Sequence, residues 1–154
     1  MRTRQAGHAA IELALTMAAS LIVLPVLLFF GRAFWQYNAM QKAAYQAARF
    51  MAAVPAAQIV DPIAAPAARA VAQQMLIDAS DAVGLDVALT STGIEVRCDG
   101  TECVGGGVAK PQRIEVTARL YVNGFGFDVD SGTLAPDVSS QLSIAVSANL
   151  AYLN

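Results

Sequence analysis

Three groups of residues have types and spacings that could do chemistry. The first is Gly7, His8 and Glu12 in the run GHAAIELALTMAASLIVLPVLLFFG, Gly7 to Gly31. Glu12 is a lone carboxylate at the start of an apolar block, and from Leu13 to Gly31 no side chain ionises. A carboxylate at a membrane boundary is costly to desolvate, so it calls for a function. If a peptidase cut after Gly7, His8 would carry a new positive α-amino group, with Glu12 about one helical turn inside it. The helix macrodipole favours an acid there by less than about 1 kcal/mol, too little to bring a carboxylate into lipid. An ion pair between Glu12 of one subunit and the His8 amine of a neighbour accounts for it better. In low dielectric each charge alone is expensive, so the pair would set the register of helices packed side by side. His8 itself has no histidine, cysteine or second carboxylate close by and reads as a tolerated first residue, not a metal ligand.

The second group is Cys98 and Cys103, which bracket Asp99-Gly100-Thr101-Glu102. Two thiols without a nearby histidine do not complete a zinc site. In an exported domain such a pair forms a disulfide, here worth roughly 2 kcal/mol in the chain-entropy model. The third is Asp128-Val129-Asp130-Ser131-Gly132, which begins like a calcium loop. The glutamate that should end such a loop is absent, with Ser139 and Ser140 in its place, so Asp128 and Asp130 read as part of a solvated turn. The single histidine lies in the N-terminal segment, and no nucleophile–base pair or phosphate-binding glycine loop is evident. The chain reads as non-enzymatic, and no cofactor is implied.

The elements that position these residues follow from periodicity. From His8 to Val54 the chain reads as one helix, about 70 Å long at 1.5 Å per residue and roughly twice the thickness of a hydrocarbon core. Pro25 removes a backbone donor inside it and should kink or loosen the helix. The part beyond Gly31 is dense in alanine, the best helix former. Its alanines (Ala33, Ala43, Ala44, Ala47 and Ala48) serve helix propensity, close contacts between helices, or both. Residues 55–66 hold three prolines and read as a linker. A second helix is predicted over about Ile63 to Val83, with Val71, Met75, Ala79 and Val83 on one face and Gly84 as its cap. Alternating patterns then predict four strands, led by Leu85/Val87/Leu89, Ile94/Val96/Cys98, Ile114 to Val122, and Leu142 to Leu150. Their apolar face needs a cover, for which the second helix and the outer half of the long helix are the candidates. The fold class is α+β. The predicted layout is a leader at 1–7, a long helix at 8–54 that spans a membrane to about residue 31, a linker at 55–66 and an exported head at 67–154.

Composition agrees with an anchored protein. Of 154 residues, 56% are hydrophobic and only 14% charged, and mean hydropathy is +0.48, too apolar for an ordinary soluble domain. A net charge of −2 without a basic cluster excludes a nucleic-acid footprint. The apolar run continues past Ala18-Ala19-Ser20, its one small-residue site, which argues against ordinary signal cleavage. Arg2 and Arg4 on one side nearly balance Arg32, Lys42 and Arg49 on the other. The short N-terminal flank and the cysteine pair favour an N-inside, C-outside orientation.

The spacing G-x-x-x-x-E before an apolar helix resembles the class III, type IV pilin-like prepilin signal. The longer run from Gly7 through Pro25, FGRAFW and AAYQAARFMAA is similar to the TadE-like family, minor pilins of the tight-adherence (Tad/Flp) pilus system. The likeness covers about the first third of the chain. It implies a type IV pilin-like helix on an α+β head, cleavage by a prepilin peptidase after Gly7, and a role for Glu12 in processing or assembly. Implied partners are other Tad/Flp pilins and minor pilins, an inner-membrane assembly platform, and homo- or hetero-oligomers formed through the N-terminal helix. The implied place is the bacterial inner membrane, with the C-terminus periplasmic, and the extracellular pilus after assembly for adhesion. Leu13 follows the glutamate where the major Flp pilin typically has Tyr, and His8 stands where type IV and type II secretion pilins usually have Phe. The alternative, from the residues alone, is a permanently anchored exported binding or structural domain in which Glu12 is incidental.

Overall fold

The computed structural model describes residues 5–85, 88–106, 109–123 and 141–153. Helix α1 runs from Gln5–Ala53, through Pro25 without a break, and is followed by α2 (Ala56–Val60) and α3 (Ala64–Ala82). A single 3-10 turn at Ser91–Gly93 leads into β1 (Ile94–Cys98), β2 (Thr101–Glu102), β3 (Arg113–Asn123) and β4 (Gln141–Ala151). The chain divides into two compact units, Met1–Phe34 and Trp35–Asn154.

Within the first unit, α1 is apolar all round, and its two hydroxyls are satisfied by the helix itself. Thr16 Oγ1 donates to the Leu13 carbonyl at 2.9 Å and Ser20 Oγ to the Thr16 carbonyl at 2.7 Å. Such back-bonding lets a hydroxyl sit in an apolar surface without an orphaned donor.

The second unit is an α+β head whose four-stranded antiparallel sheet has the order β2-β1-β3-β4. Strict alternation places Ile114, Val116, Ala118, Leu120 and Val122 of β3 in the core, joined by Ile94 and Val96 of β1 and Val146 and Ala148 of β4. The cover comes from α3 and from the part of α1 within this unit. Met40, Ala44, Ala47, Ala48 and Met51 recur at helical spacing and are buried. On α3 the buried row is Ala65, Ala72, Leu76 and Ser80. The predicted row led by Val71 is displaced by one position, about 100° around the helix, and Val71 stands exposed. Leu76, fully buried, takes the central place instead.

Among the described residues four strands are present, but not the four that alternation predicted. Among the described residues from Leu85 to Thr90 none is in a strand. β1 already pairs with β3 on one edge and β2 on the other, and Leu89 joins the core as a buried loop side chain. The fourth strand arises from Asp99-Gly100, whose φ values of 51° and 86° are both positive. That is the mark of a type I′ turn, which folds Thr101–Glu102 back on β1. The proline-rich stretch 55–66 is also less open than a linker, since it holds α2 and the first residues of α3. Pro66 is tolerated there because an N–H in the first turn has no helical partner. The Asp61 carboxylate accepts the Ile63 N–H at 2.8 Å just before α3.

Three polar ties hold the head together. Tyr152, just past β4, donates its hydroxyl to the Val54 carbonyl at 2.5 Å. Gln41 Nε2 donates to the Ser147 carbonyl on edge strand β4 at 2.7 Å. Buried Gln36 donates to the Gly84 carbonyl at 3.2 Å, while its Oε1 has no partner among the described residues.

Candidate functional site

Gly7, His8 and Glu12 all lie on α1, whose helical backbone already begins at Gln5. The five-residue separation of Gly7 and Glu12 is therefore a helical one, about 7.5 Å along the axis. His8 and Glu12 are both exposed. Glu12 makes no ion pair among the described residues. The apolar block that follows reaches a mean hydropathy of 2.5, is not buried by the rest of the chain, and is long enough to cross a membrane. Leu15, Leu21, Ile22 and Leu27 are each more than 60% exposed, a surface that water would not tolerate on this scale.

The cysteines occupy a different place, in the head. Cys98 at the end of β1 and Cys103 just after β2 are joined in a disulfide with Cα atoms 5.1 Å apart. The bond closes the hairpin that the Asp99-Gly100 turn begins. Asp99 reinforces it, accepting the N–H groups of Gln112 at 3.0 Å and Arg113 at 2.8 Å. Beyond Cys103 the loop seats on the corner between α2 and α3. The Gly106 N–H donates to the Val60 carbonyl at 2.7 Å. Gly105, at φ +74°, comes so close that an added Cβ would stand 2.7 Å from the Asp61 carbonyl carbon and 2.8 Å from Pro62 Cα. Asp-Gly between alternating segments is the sequence signal for this turn.

An open depression of about 920 Å³ is lined by Asp99, Gln112, Arg113, Glu115 and Asn149. One of its lining carboxylates, Asp99, is already engaged by backbone N–H groups. Among the described residues no group of three or more His, Cys, Asp and Glu could hold a metal. Asp128 and Asp130 lie outside the described residues.

A long apolar N-terminal helix, further helices and a four-stranded antiparallel sheet are consistent with an α+β, pilin-like fold. Residues 7–49 match the family described as TadE-like protein, the family that the sequence resembles. This segment is similar to that Tad pilus-related family, and the helix it covers is long and apolar enough to cross a membrane. No curated protein and no solved structure matches the chain.

Proposed function

We propose that this chain is a TadE-like minor pilin, cleaved after Gly7 by a prepilin peptidase and built into, or priming, a Tad pilus that serves adhesion. The observation that carries the reading is that the TadE-like match falls on the stretch holding Gly7, Glu12 and the apolar block. In this reading residues 1–7 are a cytoplasmic leader carrying Arg2 and Arg4, and their removal releases the helix from its anchor. The span runs to about residue 31, and residues 67–154 form a periplasmic head. Glu12 then meets the new His8 amine of a neighbouring subunit, an ion pair that it does not find among the described residues of its own chain. Its partners are the peptidase, other Tad pilins and the inner-membrane assembly platform. The part played is structural, as the family's is.

The decisive measurement is the N-terminal mass of protein taken from membranes. Mature chain beginning at His8 is expected, and Gly7→Ala should leave the chain full length. Glu12→Ala should block processing or incorporation into pili while the head stays folded. If wild type and Gly7→Ala are equally uncut, the pilin reading fails and a permanently anchored domain takes its place.

A further inference from the structure

Two exposed helix faces of the head carry opposite charge and have no partner among the described residues. On α1, Trp35, Lys42 and Arg49 recur every seven residues and so share one side of the helix. Trp35 is 57% exposed, Tyr45 beside this row is 52% exposed, and Phe50 borders it. No acidic residue occurs between Trp35 and Ala53. Neither Lys42 nor Arg49 has an ion pair among the described residues. On α3, Ala67, Val71, Gln74, Asp78 and Asp81 follow one another at three- and four-residue steps and are exposed. Asp78 is held only by Gln74 of its own helix, and Arg69, off this row, is taken by Glu102. The contrast extends beyond these rows, since residues 55–154 hold five basic and eleven acidic residues.

We propose that the outer α1 face of one copy docks on the α3 face of a second copy. This deepens the pilin reading by naming the partner and the surfaces, and it rests on that reading. With the two helices antiparallel and Lys42 opposite Asp81, equal helical rise places Asp78 between Lys42 and Arg49, in reach of both. The same register carries Phe50 toward the small, apolar end of α3. There Val71, Ala67 and Ala68 border an open groove of about 510 Å³, whose other wall includes that copy's own Phe50 and Val54. The two surfaces differ, so the contact is heterologous and repeats from copy to copy instead of closing on itself, as a filament requires. A lipid surface suits the basic row less well. Lys42 and Arg49 lie about 10 and 21 Å along the helix from Trp35, beyond the ~8 Å Debye length at physiological salt.

The test uses the full chain in detergent micelles, with self-association followed by analytical ultracentrifugation. Lys42→Glu with Arg49→Glu should weaken association about tenfold, and so should Asp78→Lys with Asp81→Lys, as expected when exposed ion pairs become repulsive. Mixing the two variants restores complementary faces and should recover the wild-type constant. Circular dichroism and an intact Cys98–Cys103 disulfide check that each variant is folded. A wild type that stays monomeric, variants that associate like wild type, or a mixture that does not recover would each overturn the proposal. So would loss of binding to anionic vesicles by the α1 variant with association unchanged, because that assigns the row to a membrane. N-terminal mass of the same preparations separates the two readings. Cut protein without recovery refutes this interface alone, whereas uncut protein with recovery refutes the processing.

Discussion

Gly105→Ala tests whether the loop after the disulfide is truly seated on the α2–α3 corner. Two effects add at this position. At φ +74° an L-residue occupies the left-handed region, which costs roughly 1–2 kcal/mol. The new Cβ would also stand 2.7 Å from the Asp61 carbonyl carbon and 2.8 Å from Pro62 Cα, where only backbone is available to move. Relief requires the loop to lift, and lifting breaks the 2.7 Å bond from Gly106 N–H to the Val60 carbonyl, worth about 1 kcal/mol. A total near 3 kcal/mol is expected, about 10 °C in the melting temperature of a unit this size. Gly100→Ala is the control, because Gly100 also has positive φ (+86°) but has no atom within 4 Å of an added Cβ. It should show the conformational cost alone, about 1–2 kcal/mol. Thermal melts of the full chain in detergent, followed by near-ultraviolet circular dichroism of the head, measure both. If Gly105→Ala is no worse than Gly100→Ala, the loop does not bear on that corner and the account of its role is wrong.

Other outcomes follow from single contacts in the head. Asp99→Ala should cost about 1–3 kcal/mol, since it orphans the N–H groups of Gln112 and Arg113, and denaturant titration would read it. Reducing the Cys98–Cys103 bond should cost roughly 2 kcal/mol, seen as a lower denaturation midpoint in dithiothreitol. Tyr152→Phe removes the donor to the Val54 carbonyl and should cost about 1 kcal/mol. Burial also raises the Tyr152 hydroxyl above its ordinary pKa. A raised folded value means the native state holds its proton more tightly than the unfolded chain. This contribution is therefore complete below about pH 10 and fades as pH climbs past it. A wild-type melt that falls no faster than the Tyr152→Phe melt between pH 9 and 11 would contradict this.

Much of this was legible because the signals are periodic. The apolar block, the alanine-rich helix and the strict alternation of β3 and β4 each dictate their element, and the structure has all of them. What escaped was decided by competition between segments. Leu85, Val87 and Leu89 alternate as well as β1 does, but both edges of β1 are taken, and sequence does not show which segment reaches an edge first. The two-residue β2 is too short to have any period of its own and exists because the Asp99-Gly100 turn returns the chain. On α3 the choice between a row through Val71 and one through Leu76 depends on which side faces the sheet. At the candidate site, the spacing of Gly7 and Glu12 was fully legible, whereas the opposite charges of α1 and α3 became a surface only once exposure was known.

The outer part of α1 shows why one helix can serve a head and a neighbour together. Alanine buries little area, so a row of Ala44, Ala47 and Ala48 would hold a helix weakly if burial were the only source of attachment. Small side chains instead let the helix come close to the sheet, and Met40 and Met51 at the ends fill what space remains. Polar ties from Gln36 and Gln41 then fix the helix against sliding, each by bonding to a backbone carbonyl of the head. The buried residues of α1 keep to that narrow side, and the opposite side is exposed. Trp35, Lys42, Tyr45 and Arg49 all stand on it, large and charged residues placed where stability asks for none of them. An unburdened helix face would ordinarily carry charges of both signs, which keep it soluble and give favourable pairs at four-residue spacing. This one carries cations and aromatic rings without a single acid, and that bias is the reason to look for its complement on another copy.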